Sequence, residues 1–213
     1  MDNKVLSKVF GWMFIGLLVS FITGYVVSLN PTMITNIFGG AWWLLLIVEL
    51  GLVIFLSARI AKMSPTTAKV CFLLYAFVSG LTFSSIFIVY EMASIVFVFL
   101  ITGVIFGIFA FIGYTTQMDL SKFRTYLFMA LIGTILCSII NIFMGNSTFD
   151  MIISIIVIIV FIAYTAYDVQ KIKNLYESNA LPEDNLAIYG ALELYLDFIN
   201  LFIRLLDLLG KDK

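Results

Sequence analysis

The chain has 213 residues, 62% of them hydrophobic and only 12% charged. A soluble domain carries roughly 25% charged residues, so this composition excludes a water-soluble globular protein and fits a chain whose main solvent is lipid. The net charge of −1, without a basic tail, argues against nucleic-acid binding, and the lack of histidine removes the usual zinc ligand and near-neutral acid–base group.

Runs of about 20 apolar residues, the length that crosses a bilayer as a helix, fall near 9–29, 41–61, 68–90, 94–114, 123–144, 151–171 and 187–209. They predict an all-α integral membrane protein, a single multi-pass domain over 1–213. Turn chemistry separates the runs at Asn30-Pro31, Gly39-Gly40, Ser64-Pro65, Met118-Asp119 and Gly145-Asn146. The connection from Asn174 to Asn185, with Pro182 and several acids, reads as the one clearly solvated loop. No secretory cleavage pattern follows the first run, so it is read as a retained span. Cys71 and Cys137 lie inside apolar runs and read as buried thiols.

Lysine and arginine set the expected orientation. Lys4 and Lys8 precede the first span; Arg59, Lys62 and Lys69 flank the second loop, Lys122 and Arg124 the fourth, Lys171 and Lys173 the sixth. The first, third and fifth loops carry neither residue. The positive-inside rule then puts the N-terminus in the cytoplasm. Seven spans leave the C-terminus outside, although Lys211 and Lys213 pull against that. A re-entrant last helix with both ends cytoplasmic is the alternative.

Ionisable groups inside spans are functional candidates, each with a plainer reading beside it. Glu49 lies near the midplane of the second span, where a protonated acid bonded to a neighbouring helix also explains it. Arg59, near the cytoplasmic end of the same span, is placed to snorkel to headgroups. Asp168 is near the cytoplasmic end of the sixth span, where Lys171 or Lys173 offers a surface partner. Glu91 and Asp150 sit at outer span ends and read as solvated. The last stretch differs in kind. Glu193, Asp197, Asn200, Arg204 and Asp207 follow one another at steps of four, three, four and three, with Tyr189 one step earlier, so a helix puts all of them on one face. A charge at the bilayer centre costs at least ~2.5 kcal/mol, so this helix is expected to be wrapped by the others. Arg204 and Asp207 are spaced to pair at i, i+3.

Two segments carry a resemblance. Ala163-Tyr164-Thr165-Ala166-Tyr167-Asp168-Val169-Gln170-Lys171-Ile172 resembles the sixth-helix motif of the Bax inhibitor family of membrane proteins, and Leu194-Tyr195-Leu196-Asp197-Phe198-Ile199-Asn200-Leu201-Phe202 is similar to its last-helix motif. Ser79-Gly80-Leu81-Thr82 and Gly113-Tyr114-Thr115-Thr116 fit as well. The resemblance implies seven helices, two three-helix layers around a central C-terminal helix, in the cytoplasmic membrane of a bacterium. It also implies a pH-sensitive calcium leak sensed by the pair Asp168 and Asp197, with Arg59 as the arginine that latches onto the pair and Glu49 as an acidic residue of the same helix.

The residues bear on that activity independently. Two carboxylates meeting in a low-dielectric site cannot both ionise cheaply and would share a proton. Asp168, Asp197 and Asn200 offer hard oxygen ligands but fewer than the ~6–8 of a tight calcium site, so water must complete the shell, as suits a permeant ion. No cofactor is expected. A proton-coupled transporter relaying through Glu49, Glu193 and Asp197 is a second reading; a regulator acting through unknown protein partners is a third. An intramembrane enzyme is disfavoured, since the chain has no histidine, no cysteine near a base and no Gly-x-Ser-x-Gly elbow. A retinal photoreceptor would need a lysine deep in a helix, and every lysine here sits at a span end or in a loop.

Overall fold

The computed structural model describes residues 3–40 and 42–213. Among the described residues eight α-helices follow one another: α1 Asn3–Ser28, α2 Pro31–Phe38, α3 Trp42–Arg59, α4 Pro65–Val89, α5 Met92–Thr115, α6 Arg124–Met144, α7 Ser147–Glu177 and α8 Glu183–Leu209. All except α2 are long and apolar enough to span a membrane. Local chemistry sets the breaks. The Asn30 side chain accepts the N–H groups of Thr32 and Met33 to start α2, with Pro31 at its first position. Ser64 does the same for α4, again ahead of a proline. Gly145, at φ +60°, ends α6 in the left-handed conformation that glycine adopts without steric cost.

The connection between α1 and α3 holds the short α2, none of whose residues is buried. Two expectations need correction. The sixth connection is shorter than Asn174 to Asn185, because α7 runs to Glu177 and α8 starts at Glu183. The apolar run of the sixth span ends near Lys171, but the polar residues after it are good helix formers and the helix continues. Asn185 is buried, not solvated, and its amide donates to Ile60 O at 2.6 Å and Met63 O at 2.9 Å, capping the 3₁₀ turn Ile60–Lys62. Cys71 and Cys137 are free thiols but only half-buried.

The chain divides into two compact units. The first comprises Met1–Met92, Leu175–Tyr195 and Asp212–Lys213. Its core is a tight parallel pair, α1 on α4. Gly16 faces Phe72, the Ser20 hydroxyl donates to Ala76 O at 2.7 Å, and Gly24 faces Gly80, a constant offset of 56 residues that only parallel helices give. Gly16, Ser20 and Gly24 recur every fourth residue, the small-residue seam that lets membrane helices approach closely. A Cβ on Gly80 would lie 2.7 Å from Ser20 O. The start of α8 enters this unit through Lys8, whose ammonium lies 2.6 Å from Glu183 and 3.5 Å from Asp184, and through Lys69, 3.9 Å from Asp184.

At the far end of α4, Lys213 N donates to Val89 O at 3.0 Å and Lys213 Nζ to Phe87 O at 2.6 Å. Residues 184 and 213 therefore lie beside opposite ends of α4, as a last helix that crosses fully requires.

The second unit comprises Ala93–Asn174 and Leu196–Lys211. Here Phe99 and Phe106 of α5 pack against Phe198, the first tilted and the second edge-on, with ring centroids 5.1 and 5.5 Å away, and Phe99 also meets Phe202 at 5.9 Å. Rising numbers on α5 meet falling numbers on α8, so these two are antiparallel. Gly113 of α5 presses on the backbone of Ala166 in α7. The α8 helix, shared between the units, is 67% buried over its most apolar window, against 11% for α3 and α6. That burial is what its polar stripe requires.

Candidate functional site: buried acids of the membrane helices

Asp168 and Asp197 both belong to the second unit, and each is only 3% exposed. Asp168 lies nine residues before the end of α7 and Asp197 fourteen after the start of α8, so they stand about 13 Å and about 21 Å of helix from the connecting turn. Lys171 Nζ lies 3.4 Å from Asp168 Oδ1. Lys171 is thus the partner that the plainer reading offered, but the carboxylate it meets is buried rather than at the surface. The Lys171 ammonium also lies 6.0 Å above the Tyr167 ring.

Beyond Asp168 the C-terminal end of α7 grips the connection between α5 and α6. The buried Gln170 amide donates to Met118 O and accepts Leu120 N–H, both at 2.8 Å. Lys173 Nζ reaches Tyr114 O at 3.4 Å and lies 5.3 Å above the Tyr114 ring. Within this connection, Asp119 accepts the Ser121 hydroxyl at 2.6 Å and the Ser121 N–H at 3.1 Å, which hold its exposed carboxyl below the usual carboxylate range. Sequence reading passed over Gln170. Its signal was faint: a lone amide at a span end reads as surface.

The rest of the stripe on α8 is spoken for locally. Asn200 Nδ2 donates to Leu196 O of its own helix at 2.8 Å. Arg204 lies 3.3 Å from Asp207 Oδ2, the expected i, i+3 pair, and 3.4 Å from the Ser154 hydroxyl of α7. Glu193 is half-buried in the first unit. Among the described residues no three His, Cys, Asp or Glu side chains converge as metal ligands.

The other two acid and base candidates lie in the first unit. Glu49 Oε2 accepts the Thr82 hydroxyl of α4 at 3.0 Å, as expected of an acid bonded to a neighbouring helix. Arg59 is exposed at the last residue of α3, the position from which a guanidinium reaches headgroups.

A family profile described as "Inhibitor of apoptosis-promoting Bax1" matches residues 2–213. The chain belongs to that family. It is 43% identical over 211 residues to the inner membrane protein YbhL of Escherichia coli strain K12, covering 96% of this chain and 90% of the relative. An uncharacterized protein of Borreliella burgdorferi is 42% identical over 214 residues, covering 98% and 92%. A Rickettsia prowazekii protein is 32% identical over 211 residues, covering 98% and 89%. This is therefore a multi-pass membrane protein of the Bax inhibitor family, with a relative in a bacterial inner membrane.

Proposed function

We propose that the protein is a pH-sensitive cation leak that passes Ca²⁺ weakly, with Asp168 and Asp197 as its proton-sensitive gate, in the cytoplasmic membrane of a bacterium. The observation that supports this reading is the burial of both carboxylates, to 3% exposure, on membrane-spanning helices of one compact unit. Carboxylates are rarely buried in a membrane protein unless they hold a proton, a cation or both. Lys171 balances one negative charge, so at most one remains to attract an ion. At low pH, protonation removes that remaining charge. At higher pH both groups ionise, repel one another and draw in a divalent cation whose shell water completes. Arg59, exposed at a helix end, is left out of this gate.

The test is calcium-dye flux into liposomes that contain only this protein, measured across the neutral range. Flux is expected to rise with pH in the wild type. Asp168→Asn and Asp197→Asn each keep size and hydrogen-bonding capacity while removing a titrating group, so each is expected to flatten the profile. The double variant is expected to add little, because the two act as one unit. A single variant that keeps the wild-type profile sinks the pair as sensor and moves attention to Glu49 or Glu193. Exchange of a saturable solute, in place of a leak, would favour proton-coupled transport.

A further inference from the structure

The connection between α1 and α3 is built unlike the others. From Val9 to Val48 the sequence has no Asp, Glu, Lys or Arg, whereas the stretch from Glu177 to Asp184 that joins α7 to α8 holds three acids. Segments that stand in water draw heavily on charged residues. This one instead carries the short α2, with apolar and uncharged polar side chains sorted to two sides. At about 100° per residue, Met33, Ile34, Ile37 and Phe38 fall within an arc of about 140°, and Thr32, Thr35 and Asn36 lie opposite. The three polar residues are exposed. The apolar side is not covered either. Although α2 touches α1 and α4, Met33 is 49% exposed and Ile34, Ile37 and Phe38 are only half-buried.

The chain on either side says what lies next to that face. Leu29 and Asn30 join α2 to α1, and residues 39–41 join it to α3. Two or three residues reach at most about 7–11 Å, and α1 and α3 are both long and apolar enough to span the membrane. The headgroup layer outside the hydrocarbon core is itself about 5–8 Å deep, so α2 cannot stand far from it. Trp42 and Trp43 open α3 at 52% and 50% exposure, and indoles concentrate at that level of a bilayer. The Trp43 ring N–H donates to Gly40 O at 3.0 Å, which ties this ring to the end of the connection.

We propose that α2 is an interfacial helix whose partner is the phospholipid surface itself. Met33 and the open edges of Ile34, Ile37 and Phe38 enter the acyl boundary, and Thr32, Thr35 and Asn36 face headgroups and water. Neither side of α2 is charged, so insertion rests on apolar area alone and needs neither anionic lipid nor low salt. The helix then sets the depth at which α3 enters the bilayer. Protein contacts do this poorly, because α3 is 11% buried over its most apolar window.

Collision measurements on a spin label test the proposal. In a background of Cys71→Ala and Cys137→Ala, a nitroxide is attached at Met33→Cys and, separately, at Asn36→Cys. Both positions are exposed, so neither change disturbs a packed core. The full chain is placed at high dilution in phosphatidylcholine liposomes. Collision with oxygen, which concentrates in lipid, is measured against collision with a water-soluble nickel chelate. The oxygen-to-nickel ratio is expected to be severalfold higher at position 33 than at 36, and to stay unchanged when phosphatidylglycerol or salt is added. Equal ratios, or a label at 33 open to the chelate, mean that α2 stands in water and overturn the proposal. A label at 33 closed to both reagents means that protein, from this chain or a second copy, covers the face, and overturns it as well. A ratio that rises only with anionic lipid overturns insertion by apolar area alone. No ion flux is read, so every one of these results leaves the leak reading where it stood.

Discussion

Gly113 and Gly107 stand six residues apart on α5 and meet opposite surroundings. A Cβ built on Gly113 would fall 2.7 Å from the Ala166 Cα and closer still to its carbonyl oxygen, whereas one on Gly107 meets nothing within 4 Å. Backbone cannot swing aside as a flexible side chain can. Gly113→Ala is therefore expected to lower stability by about 1–3 kcal/mol, the usual cost of overpacking. Gly107→Ala should be neutral or gain up to about 1 kcal/mol from helix propensity. Thermal unfolding in detergent decides, and equal midpoints would show that α5 and α7 do not approach so closely. The sequence made Gly113 visible only as part of a motif, Gly113-Tyr114-Thr115-Thr116, without saying what it touched. Ser20 was harder still. A lone serine in an apolar run commonly bonds back to its own helix, so nothing local marks one that joins two helices.

At the scale of elements, breaks were legible wherever a side chain creates them, and lengths were not. Asn30, Ser64 and Gly145 end or start helices by chemistry confined to a few residues. The extension of α7 to Glu177 follows from helix propensity and the burial of Asn185 from what packs nearby, and hydropathy encodes neither. The polar stripe of α8 was the strongest element-level signal, because its spacing has few explanations in lipid other than a buried helix. That spacing supports a direct comparison. Asp197 is 3% exposed, while Asp150, in the first turn of α7, is exposed. Asp197→Lys places an ammonium where a buried carboxylate stood, in the same unit as Arg204, and is expected to cost roughly 3–5 kcal/mol. Asp150→Lys should stay within about 0.5 kcal/mol. Similar expression and unfolding temperatures for the two variants would place Asp197 in a wet environment, against its burial.

For the whole molecule the question is which end faces which compartment. Lys8 and Lys69 gather with Glu183 and Asp184 at one end of the first unit, while residues 212 and 213 meet α4 at its other end. The two terminal lysines looked anomalous from sequence, since a basic tail favours the cytoplasm. Lys213 has a local use that removes the anomaly. Its ammonium lies 2.6 Å from Phe87 O, in the last turn of α4, where cations suit the negative end of a helix dipole. The basic residues of the connections favour one orientation: Lys62 and Lys69 beside the α3–α4 connection, Lys122 before α6, Lys171 and Lys173 near the end of α7. We therefore expect residues 62–67, 117–122 and 172–185 to face the cytoplasm. In a background of Cys71→Ala and Cys137→Ala, a membrane-impermeant thiol reagent applied to intact cells should modify Ser147→Cys, at the start of α7, and spare Ser64→Cys, at the start of α4. Tags on the two termini should be digested from opposite faces of the membrane, as seven full spans require. Modification of Ser64→Cys alone would invert the orientation, and tags digested from one face would mean that α8 does not cross.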